Sequence, residues 1–171
     1  MLMNDNCYHR TRLVDFEINV KYIQNSLAID SPEMTTICAC ANENNISVVL
    51  GFSENDHDSL YIAQAIISHD GTIQRTRRKM KPTHMERTVF GDASGQVFRS
   101  VASLPVGRVG ALSCWEHIQP LLKFQTYSQR EDIHVSAWPN VTPHTGGPDL
   151  WSMSAEGDFI YIYMYVYTVK S

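Results

Sequence analysis

Cys114 stands where an apolar run, Arg108-Val109-Gly110-Ala111-Leu112, meets a segment that reads as the start of a helix. A cysteine at such a strand end can be presented by a tight turn, and nearby backbone N–H groups can favour its thiolate and hold an oxyanion. A packed, unreactive thiol fits the same position, because buried cysteines behave as small hydrophobes. Lys79, within Arg77-Arg78-Lys79-Met80-Lys81, reads by itself as part of a solvated charged face. His84, His117 and His134 fall in separate segments, without HxxxH or HxH spacing, so a zinc site is not expected. Structural hydrogen bonds are the expected role of His84 and His134. Glu116 is expected to support the turn at Cys114 rather than to act as a base.

These residues need elements to position them. Ser31 can cap a helix, Pro32 suits its first position and Glu33 complements its positive end. Met34, Ile37, Cys38 and Ala41 then form one buried stripe, ending near Asn44-Asn45. Residues 46–52 read as a strand covered on both faces, residues 54–58 as a polar turn, and residues 60–67 as a second strand. Asp70-Gly71 predicts a hairpin turn before a third strand at 72–77. A long polar loop from Arg77 to Gly95 follows, of the kind that more often carries function than decoration. Residues 97–101 and 108–112 read as strands, Pro120 to about Gln129 as a helix and 133–137 as a short strand. Residues 1–29 show no trustworthy period, and the uncharged Tyr/Ile alternation of residues 159–167 reads as one β-prone strand. No internal repeat or low-complexity linker interrupts this α/β order.

The chain has 171 residues, enough for one domain. With 43% hydrophobic and 19% charged residues it has a globular balance, which argues against wholesale disorder. Lys plus Arg number 14 against 18 for Asp plus Glu, and the formal charge of −4 offers no footprint for nucleic acid or an anionic membrane. No run of eighteen apolar residues exists to span a bilayer, and the N-terminus lacks the pattern of a secretory signal. Four cysteines, at 7, 38, 40 and 114, without a CxxC pair, point to a reducing, cytoplasmic location.

Three blocks together are far more specific than any residue alone. Residues 78–87 (Arg-Lys-Met-Lys-Pro-Thr-His-Met-Glu-Arg), 107–116 (Gly-Arg-Val-Gly-Ala-Leu-Ser-Cys-Trp-Glu) and 133–139 (Ile-His-Val-Ser-Ala-Trp-Pro) resemble the nitrilase branch of the carbon–nitrogen hydrolase superfamily, and most closely its fungal nitrilases and cyanide hydratases. The resemblance runs from about Tyr22 to about Gly157, and takes in Val49-Leu50-Gly51-Phe52-Ser53-Glu54 and Pro148-Asp149-Leu150-Trp151-Ser152-Met153-Ser154; residues 1–21 and 158–171 are atypical. It implies one carbon–nitrogen hydrolase domain over 1–171, built as a nitrilase-type α-β-β-α sandwich with a Glu–Lys–Cys site. Carried over by position, Cys114 is the nucleophile, Lys79 the catalytic lysine and Glu86 the auxiliary glutamate of the lysine loop. The backbone N–H of Trp115 is the implied oxyanion donor. Trp115 and Trp138 fit either a small-substrate pocket or core packing. The family needs no metal or organic cofactor, acts on a small nitrile or on cyanide, and implies a homo-oligomer, dimer or larger.

The chain also departs from the family pattern. The general-base glutamate is expected upstream, in a Pro-Glu context followed shortly by Gly-Tyr-Pro, and no segment here matches it; Glu17, in Asp15-Phe16-Glu17-Ile18, has neither neighbour. The first strand–helix unit and the strands completing the second sheet are expected to be missing. The implied reaction is hydrolysis of a small nitrile to an acid and ammonia. The alternatives are hydration of cyanide to formamide, and a truncated homologue that does not turn over nitriles by itself.

Overall fold

A computed structural model describes residues 15–137, apart from the side chains of Gln96 and Val97. The chain divides into two compact units after Val97. Residues 138–171, with Trp138 and the Tyr/Ile run, lie outside the described residues.

The first unit opens with a helix where residues 1–29 show no period: α1, Phe16–Gln24. Asp15 caps it by accepting the Ile18 N–H at 3.2 Å. Its apolar side chains do not mark it out as a buried element, since Phe16, Ile18 and Val20 are all exposed. The second helix, α2 (Pro32–Glu43), starts as its residues dictate, with Ser31 Oγ accepting the Met34 N–H. Met34 and Ala41 of the expected stripe are buried, and Ile37 and Cys38 pack beside them.

An antiparallel sheet follows, in the order β1 (Val48–Asp56), β2 (Ser59–Ile67), β3 (Ile73–Arg78). The pairing of β1 with β2 runs from Val48↔Ile67 to Asp56↔Ser59. The polar residues 54–56 therefore extend the strand, and the turn shrinks to His57-Asp58 with φ of 50° and 66°. Two left-handed residues are what a tight hairpin matched to strand twist requires. β1 is an edge strand, and Phe52 is its one buried residue among those described, so it is not covered on both faces as its composition suggests. The enclosed stretch lies in β2, where Ala63 to Ile67 are buried and Ala65, Ile66 and Ile67 have 0% exposure. Phe52, Ala63, Ala65 and Ile67 pack with Met34 and Ala41 into the core. Gly71, at φ +80°, closes the next hairpin under α2; a Cβ there would lie 2.6 Å from the Cys38 carbonyl oxygen.

The second unit holds a three-stranded sheet in the order β4 (Val101–Leu104), β5 (Gly107–Ser113), β6 (Ile133–Ala137). β4 and β5 are antiparallel, whereas β5 and β6 are parallel and joined through α3 (Pro120–Ser128). The strand expected at 97–101 lies further on, because pairing begins at Val101↔Gly110; residues 95–98 form a 3-10 turn. Just before β4, buried Ser100 is tied by its hydroxyl to Thr126 of α3 at 2.9 Å. β5 occupies the centre, with Val109 to Ser113 buried.

Candidate active site

In the first unit the site begins where β3 ends. Strand alternation sends consecutive residues to opposite faces. Arg77 is buried and donates to Gln64 Oε1 at 2.7 Å. Arg78 faces the other way, donating to both carboxylate oxygens of Glu54 at 2.7 and 2.8 Å and to Asp56 at 2.8 Å, with its guanidinium 3.8 Å from the Tyr61 ring centre. These carboxylates, Glu54 foremost, hold Arg78 above its usual basicity. The hydrogen bond from His57, and then that from Arg78, lowers the Asp56 pKa from the ordinary carboxylate value.

Lys79 is next, and its side chain is 1% exposed. An ammonium buried to that degree needs partners. Its Nζ donates to Glu86 Oε2 at 2.5 Å and to Thr83 Oγ1 at 3.1 Å. Glu86 is held in turn by the backbone, its Oε2 accepting the Thr83 N–H at 2.7 Å and the Thr83 hydroxyl at 3.0 Å. Thr83 and Glu86 form a capping box at the start of the 3-10 turn His84–Thr88, with His84 in the left-handed region at φ 51°. The long loop thus has local structure that its lack of periodicity hid. Two residues from Lys79, Lys81 is exposed and pairs with Asp92 at the surface.

In the second unit, β5 runs into the 3-10 turn Cys114–Ile118. Cys114 is buried and takes φ 52°, a left-handed conformation that L-residues seldom adopt. Glu116 reaches back so that its Oε2 accepts the Ser113 N–H at 2.9 Å, another capping box. It supports the turn, as its spacing suggests. Trp115, on the same turn, is half-buried.

The structure therefore brings Lys79 and Glu86 together in one unit and sets Cys114 and Trp115 on a strained turn in the other. Glu17 lies exposed in the first turn of α1. His84 is exposed, whereas His117 and His134, far apart in sequence, meet with 3.1 Å between their Nε2 atoms. Among the described residues no group of three or more His, Cys, Asp or Glu side chains could hold a metal ion. Thr83 is the site residue that sequence reasoning missed; its signal was the Thr-x-x-Glu spacing of a capping box.

Comparison with known proteins gives this geometry a context. The family model described as carbon-nitrogen hydrolase matches residues 13–170. An arylacetonitrilase of Hypocrea virens is 62% identical over 151 residues, covering 88% of this chain and 46% of the relative. An arylacetonitrilase of Aspergillus niger is 64% identical over 146 residues, covering 85% and 44%. The chain spans about half the length of the curated relatives it matches. Among solved structures, the C. elegans NitFhit protein superposes with a TM-score of 0.67 at 16% identity, over 84% of this chain and 37% of that one. The carbon-nitrogen hydrolase of Helicobacter pylori G27 gives 0.62 at 15%, over 75% and 45%. At such identities the likeness establishes the fold, which is the nitrilase type.

Proposed function

Since the chain belongs to the carbon–nitrogen hydrolase family, we propose that it carries the Lys and Cys machinery of a nitrilase-type hydrolase acting on arylacetonitriles. The observation that supports this most directly is Cys114 held left-handed at the end of a buried strand. The relatives' names supply the substrate class.

In this reading the Cys114 thiolate adds to the nitrile carbon, forming a C–S bond, while the nitrogen takes a proton from Lys79 to give a thioimidate. Water adds next, and ammonia leaves to produce a thioester. A second water releases the carboxylic acid and gives the thiol, and return of a proton to Lys79 regenerates the thiolate and the ammonium. A nitrile carbon calls for a soft, strong nucleophile, which a thiolate is, and a buried ammonium is a proton donor that stays at its post. Glu86 holds Lys79 in place, and the Trp115 N–H receives charge developing on the substrate. Hydration of cyanide differs in one step, expulsion of the thiolate instead of ammonia, and the names of the relatives favour hydrolysis. Cytoplasmic residence and assembly into a homo-oligomer belong to the same reading.

The test is to incubate the protein with an arylacetonitrile and map the covalent adduct by peptide mass spectrometry. The adduct is expected on Cys114 and absent from Cys114→Ala, with Cys7→Ala, Cys38→Ala and Cys40→Ala unchanged. An adduct that survives Cys114→Ala overturns the assignment. Formamide from cyanide, without acid and ammonia from the arylacetonitrile, would favour hydration instead.

A further inference from the structure

A buried series of ionisable side chains in the second unit has no part in the reaction above. The side chains of Glu131 and His134 are 0% and 1% exposed, with Glu131 Oε2 2.9 Å from His134 Nδ1. His134 Nε2 lies 3.1 Å from His117 Nε2, the two rings edge to face. Buried His117 completes the series, its Nδ1 2.7 Å from the carbonyl oxygen of Cys114. Three contacts thus lead from a carboxylate to the backbone of the residue that bears the thiol. Room for the carboxylate comes from β5 itself: a Cβ on residue 110 would collide with Glu131 Oε2, and the residue there is glycine.

The hydrogens in this series can be counted. A carbonyl oxygen has none to give, so His117 Nδ1 carries the hydrogen of the last contact. Each of the other two contacts is a hydrogen bond only with one hydrogen in it, so the series needs three. Two neutral imidazoles and an ionised carboxylate hold two. With the third, every link is closed.

We propose that Glu131, His134 and His117 are positioning residues for Cys114. Closed by three hydrogens, the series pins the Cys114 carbonyl and with it the left-handed turn that presents Sγ. Glu116 secures the same turn from its other side through the Ser113 N–H. The proposal rests on Cys114 being the reactive thiol, but not on nitriles being its substrate. Without the series only the Glu116 closure remains, and Cys114 relaxes more readily toward right-handed φ, which swings Sγ away from where the turn holds it.

Two measurements test this on the full chain without any nitrile. In 15N-histidine NMR spectra of the unaltered protein at pH 7, His117 is expected to be protonated on Nδ1, with one hydrogen shared between the facing Nε2 atoms. The second measurement is the iodoacetamide labelling rate of Cys114, referred to Cys38 and Cys40 in the same sample. Glu131→Leu cannot bond to His134 and should slow Cys114 about tenfold, the size of the left-handed penalty it would shed. Glu131→Gln can donate its amide hydrogen to His134 Nδ1 and should stay within about threefold of the unaltered rate. A role confined to general stability would slow both variants alike or loosen all three cysteines together. An unprotonated His117 Nδ1, faster labelling in Glu131→Leu, or an equal loss in Glu131→Gln overturns the proposal. Should Cys114 form no nitrile adduct while these results hold, the proposed function fails and the positioning role stands.

Discussion

The turns at residues 83–88 and 113–118 share one construction and place their chemistry at different points in it. Each begins with a hydroxyl residue, Thr83 or Ser113, and continues with a residue near φ 50°, His84 or Cys114. Each is closed by a glutamate, Glu86 or Glu116, that reaches back to the first residue's N–H. In the first turn the left-handed residue is exposed, and the glutamate takes Lys79 as well. In the second the left-handed residue carries the thiol, and the glutamate closes the backbone beneath it. A capping box is therefore a mount. What it mounts depends on which of its corners receives a reactive group.

If that comparison is sound, the largest effect belongs to the group that the first turn holds. On the proposed function, Lys79→Ala should cut nitrile turnover by about 10²–10⁴-fold, the range for a positioned proton donor. Lys81→Ala removes an exposed pair with Asp92 and should change turnover by less than about twofold. Steady-state ammonia release from both variants checks this. The reverse pattern would move the functional lysine two residues along and separate the first turn from the chemistry.

A smaller effect should separate the two glutamates. Glu86→Gln keeps an acceptor for the Thr83 N–H but takes the countercharge from Lys79, so turnover should fall about 10²-fold with Lys79 misplaced. Glu116→Gln also keeps an acceptor for its N–H, and the change falls on stability, about 0.5–1.5 kcal/mol, with turnover within about threefold. Thermal melts and kinetics on the same samples check both. If Glu116→Gln were the more damaging to turnover, the second glutamate would be more than a closure.

What the sequence makes legible follows the range of the interactions. The Ser31 cap, the Asp70-Gly71 hairpin, the β5 strand and the α/β order rest on residues a few positions apart, and a linear reading finds them. The Lys79–Glu86 pair was reached through resemblance to a family, because a basic loop without period looks like a solvated face until Thr83 and Glu86 are seen to fold it. That His134 makes structural hydrogen bonds was legible, but that its partners are His117 and Glu131 was not. The three are brought together by the parallel β5–β6 crossover, and the space for Glu131 is created by Gly110, twenty-one residues away. α1 was missed for a different reason: none of its residues is buried and Phe16, Ile18 and Val20 are exposed, so no buried stripe writes a period into the sequence.

The smallest effect tests whether the left-handed corner of the first turn is only a spacer. His84 holds φ 51° with an exposed side chain. A non-glycine residue in that region costs roughly 1–2 kcal/mol, less for residues such as His that tolerate it better. Glycine adopts the conformation freely but enlarges the unfolded ensemble, at a cost of about 0.4–1 kcal/mol. The two terms leave His84→Gly more stable by about 0.5 kcal/mol, a rise in Tm of about 1–2 °C. His84→Val, β-branched and ill suited to positive φ, should move the melt downward by more than that. Turnover should be unchanged in His84→Gly, because the side chain is exposed and Glu86 keeps its hold on Thr83. A loss of turnover in His84→Gly, with the melt raised, would give the imidazole a task of its own and make the two turns alike in carrying chemistry at their left-handed residue.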